Sequence, residues 1–568
     1  MHKKTKDDFI QNLFGSHKDL NFAKINQFTE QFQNQIDAQQ NFNGLYFEGD
    51  EKINFYDFLK NKTLNHQPES VESTFNYIAS LVQNLPNWSN PGTMINVIPP
   101  VNLAALAASN TIRGLNANFA QDTYAGALIA SELEVSKYIS DLIKWDWEQS
   151  IGVFTFGGKG TNLYATKIAL SKCDKDSSKY GCNREKYFIL TSKTAHPCHY
   201  EVCNWLGLGK ECCIEIPCSK DGKIDLLAME QIIHTELKKG KIFLGCNLNG
   251  GSTNELYIDP IKKVSRIIKK IINQYQLNYR PHIHVDSVIG WVFLFFNDYN
   301  FQKNPLQISA KTLDKIQSVN RAAQDFKYAD SIGIDFHKTG FCPYISSLFL
   351  CKHRSDYFSI APDKNQEMTN LIYGNYNPYQ TTLELTRPSS GAISALCSLK
   401  TLGIAGFQKI YAQMVEAANY FREELAKNDN IEVLNSDSCW MASLFILKPP
   451  KYTKLKLTDI LKLSPKEHSE IKQFNIDYSK FVQYRASKSQ SNFIFTSSRS
   501  HVVDGTNISL GTLKAYPMSV FFDKQTAGKI AQEINQSIKQ FLSPHGYQLD
   551  ETSYISDDMV YRGVQREN

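Results

Sequence analysis

The residues with the clearest chemical potential form one short segment, Asp335-Phe336-His337-Lys338. They close an apolar, strand-like run over residues 331–336, and a second apolar run follows over residues 343–350. The lysine would therefore stand at a strand end between two buried segments, whereas most lysines are solvated surface charges. An amine held in that way can form an imine with an aldehyde and be displaced by an incoming amine.

Three other segments could complete a site around such an imine. A strand-like run over residues 282–285 ends in Asp286, and a carboxylate can keep a pyridine nitrogen protonated. His196 lies just past another strand-like run and could stack on a ring. Residues 155–162 form a glycine-rich turn before a helix, which suits an anion. Singly, each has a commoner explanation, namely a helix cap, a loop histidine or an ordinary turn. Together, in this order, they predict a site for pyridoxal phosphate (PLP).

The elements that position these residues predict an α/β protein. Between residues 151 and 350, short β-rich runs alternate with helical patterns, which indicates a mainly parallel sheet covered on both faces. We expect a helical segment over residues 1–95, a large cofactor-binding domain over residues 96–390 and a small α+β domain over residues 391–568.

Composition excludes several classes of function. The 568 residues are 42% apolar and 21% charged, and the net charge of +5 is too small to indicate binding to nucleic acid or a membrane. Residues 288–296 are apolar but too few to span a bilayer, and we expect no secretory signal at the N-terminus. The twelve cysteines are irregularly spaced, which favours free thiols and a cytoplasmic location. We expect no metal site, because paired Cys-x-x-Cys spacing is absent from the cluster Cys198, His199, Cys203, Cys212 and Cys213.

From about residue 95 to 420, the sequence resembles the group II PLP-dependent amino acid decarboxylases of fold type I. The segment from Asp330 to Lys338, with Gly340 and Pro343-Tyr344, is similar to bacterial tyrosine decarboxylases. Thr386-Arg387-Pro388 and the stretch 402–407 are more similar to bacterial glutamate decarboxylases. The resemblance implies a seven-stranded-type sheet in the large domain and a homodimer with active sites at the subunit interface.

The resemblance also implies roles for single residues. Lys338 would be the Schiff-base lysine, Asp286 would pair with the pyridinium nitrogen, and His196 would stack on the cofactor ring. The remaining cofactor contacts would be Gly158, Lys159, Thr161, His337 and Ser252. Lys159 stands where the family usually has Ser or Thr, and Val288 stands where it often has Ala.

The activity implied is decarboxylation of an L-amino acid to the amine and CO2. A tyrosine from a mobile loop after the lysine would protonate Cα, and the candidates are Tyr373, Tyr376 and Tyr379. Arg387 could hold a carboxylate of an acidic, glutamate-like substrate, or else cap a helix or pair across the dimer; an aromatic lining would favour a tyrosine-like substrate. Two alternatives stay open: another PLP-dependent lyase or aldehyde-forming reaction on the same fold, and a catalytically silent dimeric homologue.

Overall fold

The computed structural model describes residues 13–14, 21–39, 44–47, 54–183, 185–219, 221–361, 371–498, 503, 506–543 and 560–561. The strands are β1 (Thr93–Met94), β2 (Ile151–Thr155), β3 (Tyr187–Ser192), β4 (Cys213–Ile216), β5 (Ile242–Asn249), β6 (His282–Asp286), β7 (Ser331–Asp335), β8 (Ser347–Cys351), β9 (Ile431–Val433), β10 (Ser443–Leu447), β11 (Ile494–Ser498), β12 (Thr512–Ala515) and β13 (Val560–Tyr561).

Seven of these strands form the large sheet, in the order β2–β8–β7–β6–β5–β3–β4. Strands β7, β6, β5, β3 and β4 are mutually parallel, and only β8 runs antiparallel to its two neighbours. Strands β6 and β7 are buried along their whole length. Such burial is typical of a parallel sheet covered on both faces. The sequence prediction of a mainly parallel sheet is thus confirmed.

Helices connect and cover the strands. Ile261–Tyr275 shows why, because Ile261, Val264, Ile268 and Ile271 are buried at helical spacing while lysines occupy the other face. The helices of eight or more residues are Phe22–Gln39, Val71–Ser80, Leu103–Gly114, Ala130–Ile143, Gly158–Cys173, Cys198–Trp205, Leu226–Lys238, Ile261–Tyr275, Ala310–Ala323, Ser390–Leu425, Pro465–Ser487 and Lys524–Phe541. Shorter helices are Phe55–Leu59, Asp122–Ala125, Ser177–Tyr180, Phe336–Thr339, Arg354–Tyr357 and Leu457–Ile460.

A second sheet has the order β1–β11–β12–β10–β9, with β13 paired to β11. Strand β1 belongs to it although it precedes the large sheet in the chain. The helices Pro465–Ser487 and Lys524–Phe541 bury aromatic and aliphatic side chains in the core beside this sheet. The division at residues 95 and 390 stays a prediction.

The helix Ser390–Leu425 is long and apolar enough to cross a membrane by length and composition alone. Buried core helices pass the same test, and this one departs from helical geometry at Gly403, where φ is +58°. Its side chains Phe407, Tyr411 and Phe421 are completely buried in the protein cores. We therefore treat it as a core helix.

Candidate active site

Strands β6 and β7 bring Asp286 and Lys338 to the same edge of the large sheet. Asp286 is the last residue of β6 and is paired with Gly333 of the parallel strand β7. Strand β7 ends two residues later at Asp335, and the short helix Phe336–Thr339 carries Lys338. Because parallel strands present their carboxyl ends together, an amine and a carboxylate face one region. Their charges interact, since Asp286 acts to raise the pKa of Lys338.

The nearest charged partner of Lys338 is Asp335. Lys338 Nζ lies 2.8 Å from Asp335 Oδ2, and the aspartate is fully buried while the lysine side chain is 26% exposed. Burial acts to lower the pKa of Lys338, but attraction to Asp335 outweighs it and the pKa is raised. Ser347 donates a hydrogen bond of 2.6 Å to Asp335 Oδ1. The lysine is therefore held as a cation whose side chain remains partly accessible.

Asp286 lies among neutral groups. Asn162 Nδ2 donates to Asp286 Oδ2 at 2.9 Å, and His199 Nε2 lies 3.6 Å from the same oxygen. Cys198, His199 and Asp286 offer donor atoms within 4.8 Å of one another, a spacing that could hold a metal ion. The amide of Asn162 also donates to Cys198 Sγ, and burial raises the pKa of that thiol to about 12. A neutral thiol is a poor ligand, so hydrogen bonding to Asp286 suits the cluster better.

His196 lies beyond the end of β3, on the side of Asp286 and Lys338. Burial by the surrounding protein lowers the pKa of His196 to about 4, while the charges of Asp286 and Lys338 act on it in opposite directions. Nδ1 of the ring accepts the Cys198 amide at 3.2 Å. The residue is nevertheless exposed, so a neutral imidazole is accessible on this side of the sheet. This arrangement fits the stacking role expected for it.

The glycine-rich turn leaves a helix N-terminus open beside Asp335. Gly157 has φ +118°, and among the described residues no side-chain hydrogen bond caps the helix Gly158–Cys173. A Cβ on Gly158 would lie 3.0 Å from both Asp335 Oδ2 and Val288 Cγ1, so a side chain there would crowd the turn. Uncapped amides at a helix start attract an anion such as a phosphate.

Lys159 and Thr161 lie close to this turn but are engaged elsewhere. The Lys159 ammonium pairs with Glu201 of the helix Cys198–Trp205, and its place at a phosphate stays a prediction. Thr161 is fully buried, and its hydroxyl donates to the Gly158 carbonyl at 2.7 Å. It fills the space that Gly333 leaves, because a Cβ on that glycine would come within 2.3 Å of Thr161 Oγ1. The place of Thr161 at a phosphate stays a prediction.

His337 and Ser252 are both buried. His337 Nδ1 lies 3.0 Å from the Ser346 carbonyl and Nε2 lies 3.5 Å from Asp335 Oδ2. Ser252 accepts the Tyr257 amide at 3.0 Å and so closes the turn after β5. Their contacts with a cofactor stay predictions.

The structure contradicts the substrate role of Arg387. The side chain is buried and binds Glu132 through both terminal nitrogens, NH1 to Oε2 at 2.6 Å and NH2 to Oε1 at 3.0 Å. The same nitrogens donate to the carbonyls of Phe154 and Phe119. A fully buried carboxylate already neutralises the guanidinium, so Arg387 ties the segment before Ser390–Leu425 to the large domain. The argument for an acidic substrate loses its basis.

The loop tyrosines divide into buried and exposed. Tyr376 is 3% exposed, its hydroxyl is directed at Glu132 at 3.5 Å, and its amide donates to Asp122 at 3.0 Å. It packs in the core of its own subunit, so its assignment to a mobile loop is wrong. Tyr373 is 66% exposed and Tyr379 is 38% exposed, and both stay candidates. Residues 362–370, at the start of the expected loop, lie outside the described residues.

Sequence reasoning missed two residues of the site. Asn162 binds Asp286 from the helix that begins at the glycine-rich turn, and only the helical spacing from Gly158 hinted at it. Tyr344 packs its ring 4.2 Å from the ring of His337, is 47% exposed, and interacts electrostatically with Lys338. Its position six residues after the lysine was visible, but the turn that folds it back was not.

The set of groups fits PLP. An accessible amine, a carboxylate supported by neutral donors, an open imidazole and an uncapped helix start surround one region. These groups correspond to the aldehyde, the pyridine nitrogen, the ring face and the phosphate of that molecule. Lys338 would hold the aldehyde carbon, Asp286 would face the ring nitrogen, and the first turn of Gly158–Cys173 would meet the phosphate.

Comparisons with known sequences agree with this geometry. The family model described as "Pyridoxal-dependent decarboxylase conserved domain" matches residues 56–448. An L-2,4-diaminobutyrate decarboxylase of Rhizobium meliloti is 22% identical over 353 residues, covering 61% of this chain and 63% of that protein. An L-tyrosine decarboxylase of Enterococcus faecium is 26% identical over 280 residues, covering 46% of this chain and 43% of that protein. The chain spans about half the length of the curated relatives it matches.

Solved structures show the same fold. Mouse CSAD superposes with a TM-score of 0.74 at 16% identity, covering 91% of this chain and 99% of that one. Oryza sativa TDC with PLP and tryptamine superposes with a TM-score of 0.69 at 12% identity, covering 96% and 100%. The expected fold type I is confirmed, and so is the expected cofactor, pyridoxal phosphate. The chain belongs to the pyridoxal-dependent decarboxylase family.

Proposed function

We propose that this protein decarboxylates an L-amino acid to the corresponding amine and CO2. The observation that carries the proposal is that Lys338, Asp286 and His196 interact electrostatically with one another at the carboxyl edge of the large sheet. When bound, PLP supplies an aldehyde that captures the substrate amine and a ring that accepts electrons as the Cα–carboxylate bond breaks.

The chain's own residues give each requirement a physical basis. Lys338 supplies the amine that retains the cofactor and yields to the substrate. Asp286 keeps the ring nitrogen protonated, and a cationic ring is the better electron acceptor. His196 is neutral and exposed. It would cover one face of the ring without adding a charge that would compete with the pyridinium.

An aromatic substrate is favoured over an acidic one. The Arg387 side chain is buried against Glu132, so it is not available to bind a substrate carboxylate. Phe156 and Tyr344, which flank the glycine-rich turn and the lysine, are 42% and 47% exposed. Aromatic and apolar surface at the entrance suits a ring-bearing side chain better than a carboxylate.

The assembly we propose is a homodimer with cytoplasmic location. Exposed apolar side chains cluster in the segments that follow the site, namely Tyr344, Ile345, Tyr373, Leu383 and Leu385. A second copy could cover them and complete the site's open side. All twelve cysteines are free thiols, which suits a reducing compartment. Light scattering after gel filtration would test the dimer, and a monomeric holoenzyme would refute it.

The deciding experiment assays the holoenzyme against the twenty L-amino acids and measures amine, CO2 and aldehyde together. We expect amine and CO2 in equal amounts, with an aromatic amino acid preferred, and no activity or visible cofactor band in Lys338→Ala. Lys352→Ala is the matched control, because this partly buried lysine lies at the other end of the same sheet and donates to the Lys327 carbonyl. Aldehyde in place of amine would indicate the alternative reaction, and a protein without a cofactor band would indicate the silent homologue.

A further inference from the structure

Several buried polar side chains on one face of the large sheet form a continuous series of hydrogen bonds that ends at Asp286. We call it the buried polar chain, and its members in order are His282, Ser331, His284, Asn162 and Asp286. Its hydrogen bonds are His282 Nε2 to Ser331 Oγ at 2.7 Å, Ser331 Oγ to His284 Nδ1 at 2.8 Å, His284 Nε2 to Asn162 Oδ1 at 2.9 Å and Asn162 Nδ2 to Asp286 Oδ2 at 2.9 Å.

Strand register explains how these side chains meet. His282, His284 and Asp286 alternate along β6 and so point to one face of the sheet. Ser331 of β7 is paired with His284 and shares that face. The helix Gly158–Cys173 crosses the same face, and its Asn162 side chain lies between His284 and Asp286. Every member of the chain is at most 7% exposed.

The carboxylate sets the direction of every hydrogen bond. An ionised aspartate only accepts, so the nitrogen of the Asn162 amide must face Asp286 and its oxygen must face His284. His284 must then carry its proton on Nε2. Burial lowers the pKa of His284 to about 3, so the ring is neutral and its Nδ1 accepts from Ser331. Ser331 in turn accepts from the Nε2 proton of His282.

All four donors therefore point toward Asp286. Aligned hydrogen bonds polarise one another, so the chain presents the positive ends of several dipoles to the carboxylate. His282 is also neutral, since burial lowers its pKa to about 3. The chain supports the negative charge without adding a positive one. The Asn162 amide does not pass protons on, so the chain acts electrostatically and is not a proton path.

We propose that the buried polar chain is a positioning device that fixes the Asp286 carboxylate in one orientation. This inference rests on the proposed function, because the ionised carboxylate matters through the PLP ring nitrogen. Asn162, His284, Ser331 and His282 are thus positioning residues that touch neither substrate nor cofactor. Their effect is exerted through Asp286 alone.

The test replaces the second histidine in two ways. His284→Leu leaves Asn162 Oδ1 without a donor, so the amide can turn and lose Asp286. His284→Gln supplies an amide N–H in its place. We expect the dissociation constant of PLP, from titration of the apoprotein, to rise about tenfold in the leucine variant and less than about threefold in the glutamine variant. Thr166→Val is the control, since its hydroxyl bonds only the Asn162 backbone carbonyl at 2.9 Å within the same helix.

A second readout needs no cofactor. Nitrogen-15 NMR of histidine-labelled apoprotein should show His282 and His284 as neutral rings protonated on Nε2 at neutral pH. A charged ring, or a proton on Nδ1 of His284, would overturn the inference. Equal PLP affinity in His284→Leu and the unaltered protein would overturn it as well. If the unaltered protein bound no PLP at all, the proposed function would fail, and the NMR result would still decide the direction of the chain.

Discussion

Lys338 Nζ and Asp335 Oδ2 form an ion pair of 2.8 Å across a single turn of chain. The aspartate closes β7, and the lysine follows three residues later, so the strand end itself supplies the partner. Burial acts to lower the pKa of Lys338, and Asp335 is the strongest of the groups that raise it. The pair therefore controls when the amine becomes a nucleophile.

Replacing this carboxylate should change the pH dependence of cofactor loading. In Asp335→Asn the attraction to the ammonium is lost, so the pKa of Lys338 falls and neutral amine becomes available at lower pH. The rate at which the visible band appears after PLP is added to apoprotein should reach its half-maximum at lower pH than in the unaltered protein. Ser347→Ala is the control, because it removes the hydroxyl contacts to Asp335 Oδ1 and His337 Nδ1 and keeps the charge of Asp335. An unchanged pH profile in Asp335→Asn would show that the pair does not govern the amine.

The buried pair of Arg387 and Glu132 should matter for stability and not for substrate choice. Glu132→Gln leaves the guanidinium buried beside a neutral amide, and loss of one partner of a buried pair costs about 3–5 kcal/mol. Urea denaturation would measure the change in unfolding free energy. Lys400→Ala is the surface control: it breaks the exposed pair with Glu134 and should change the unfolding free energy far less than Glu132→Gln does. A selective loss of activity on acidic amino acids, with stability intact, would restore Arg387 as a substrate ligand.

Three tyrosines can be compared as proton donors by removing one hydroxyl at a time. Tyr344 interacts with Lys338 and is half-exposed, so its hydroxyl is the best placed of the three to donate a proton. Tyr344→Phe should therefore lower kcat roughly a hundredfold or more. Tyr376→Phe removes only a long hydrogen bond to Glu132 and should leave kcat within about threefold. Tyr373→Phe tests the donor expected from the sequence. If Tyr373→Phe abolished turnover while Tyr344→Phe did not, the donor would come from the loop.

What the sequence could predict was set by local pattern. Asp286 ends one apolar strand-like run and Lys338 closely follows another, and neighbouring parallel strands bring such ends together, so both positions could be predicted from the sequence pattern. The predictions for Arg387 and Tyr376 were wrong because their partner, Glu132, is more than two hundred residues away in the sequence. A basic residue before a helix looks the same whether its charge faces a cavity or a buried carboxylate.

Asn162 is a residue of the site that the sequence did not predict. A polar residue in the first turns of a helix has no visible partner in the sequence, and its value comes from the way the helix crosses β6 and β7. Thr161, its neighbour, fits the phosphate pattern and packs against Gly333, while its hydroxyl donates to the Gly158 carbonyl. Helical rotation by one residue thus separates a residue that supports the site from one that packs beneath it.

Acid should unfold the protein through its buried imidazoles. Burial lowers the pKa of both His282 and His284 to about 3, so between about pH 6.5 and 3 the unfolded chain binds protons that the folded chain excludes. Each ring then removes about 1.4 kcal/mol of unfolding free energy per pH unit as the pH falls. Asp259 opposes this, because burial raises its pKa to about 7 and its folded form takes up a proton over much of the same range. His196, whose pKa burial lowers to about 4, adds to these two rings, so the unfolding free energy should fall as the pH falls from about 6 to 4.

Urea denaturation of the apoprotein at a series of pH values would measure this slope, and a matched variant isolates its origin. In His282→Gln one excluded proton is lost, so the slope of unfolding free energy against pH in that window should decrease by about 1.4 kcal/mol per pH unit, whatever the absolute free energy. His66→Gln serves as the control, since this histidine is exposed near the start of the chain and should leave the slope unchanged. If the slope were the same in the unaltered protein, His282→Gln and His66→Gln, the buried rings would be charged in the folded state. The hydrogen bonds of the buried polar chain could then not all point toward Asp286.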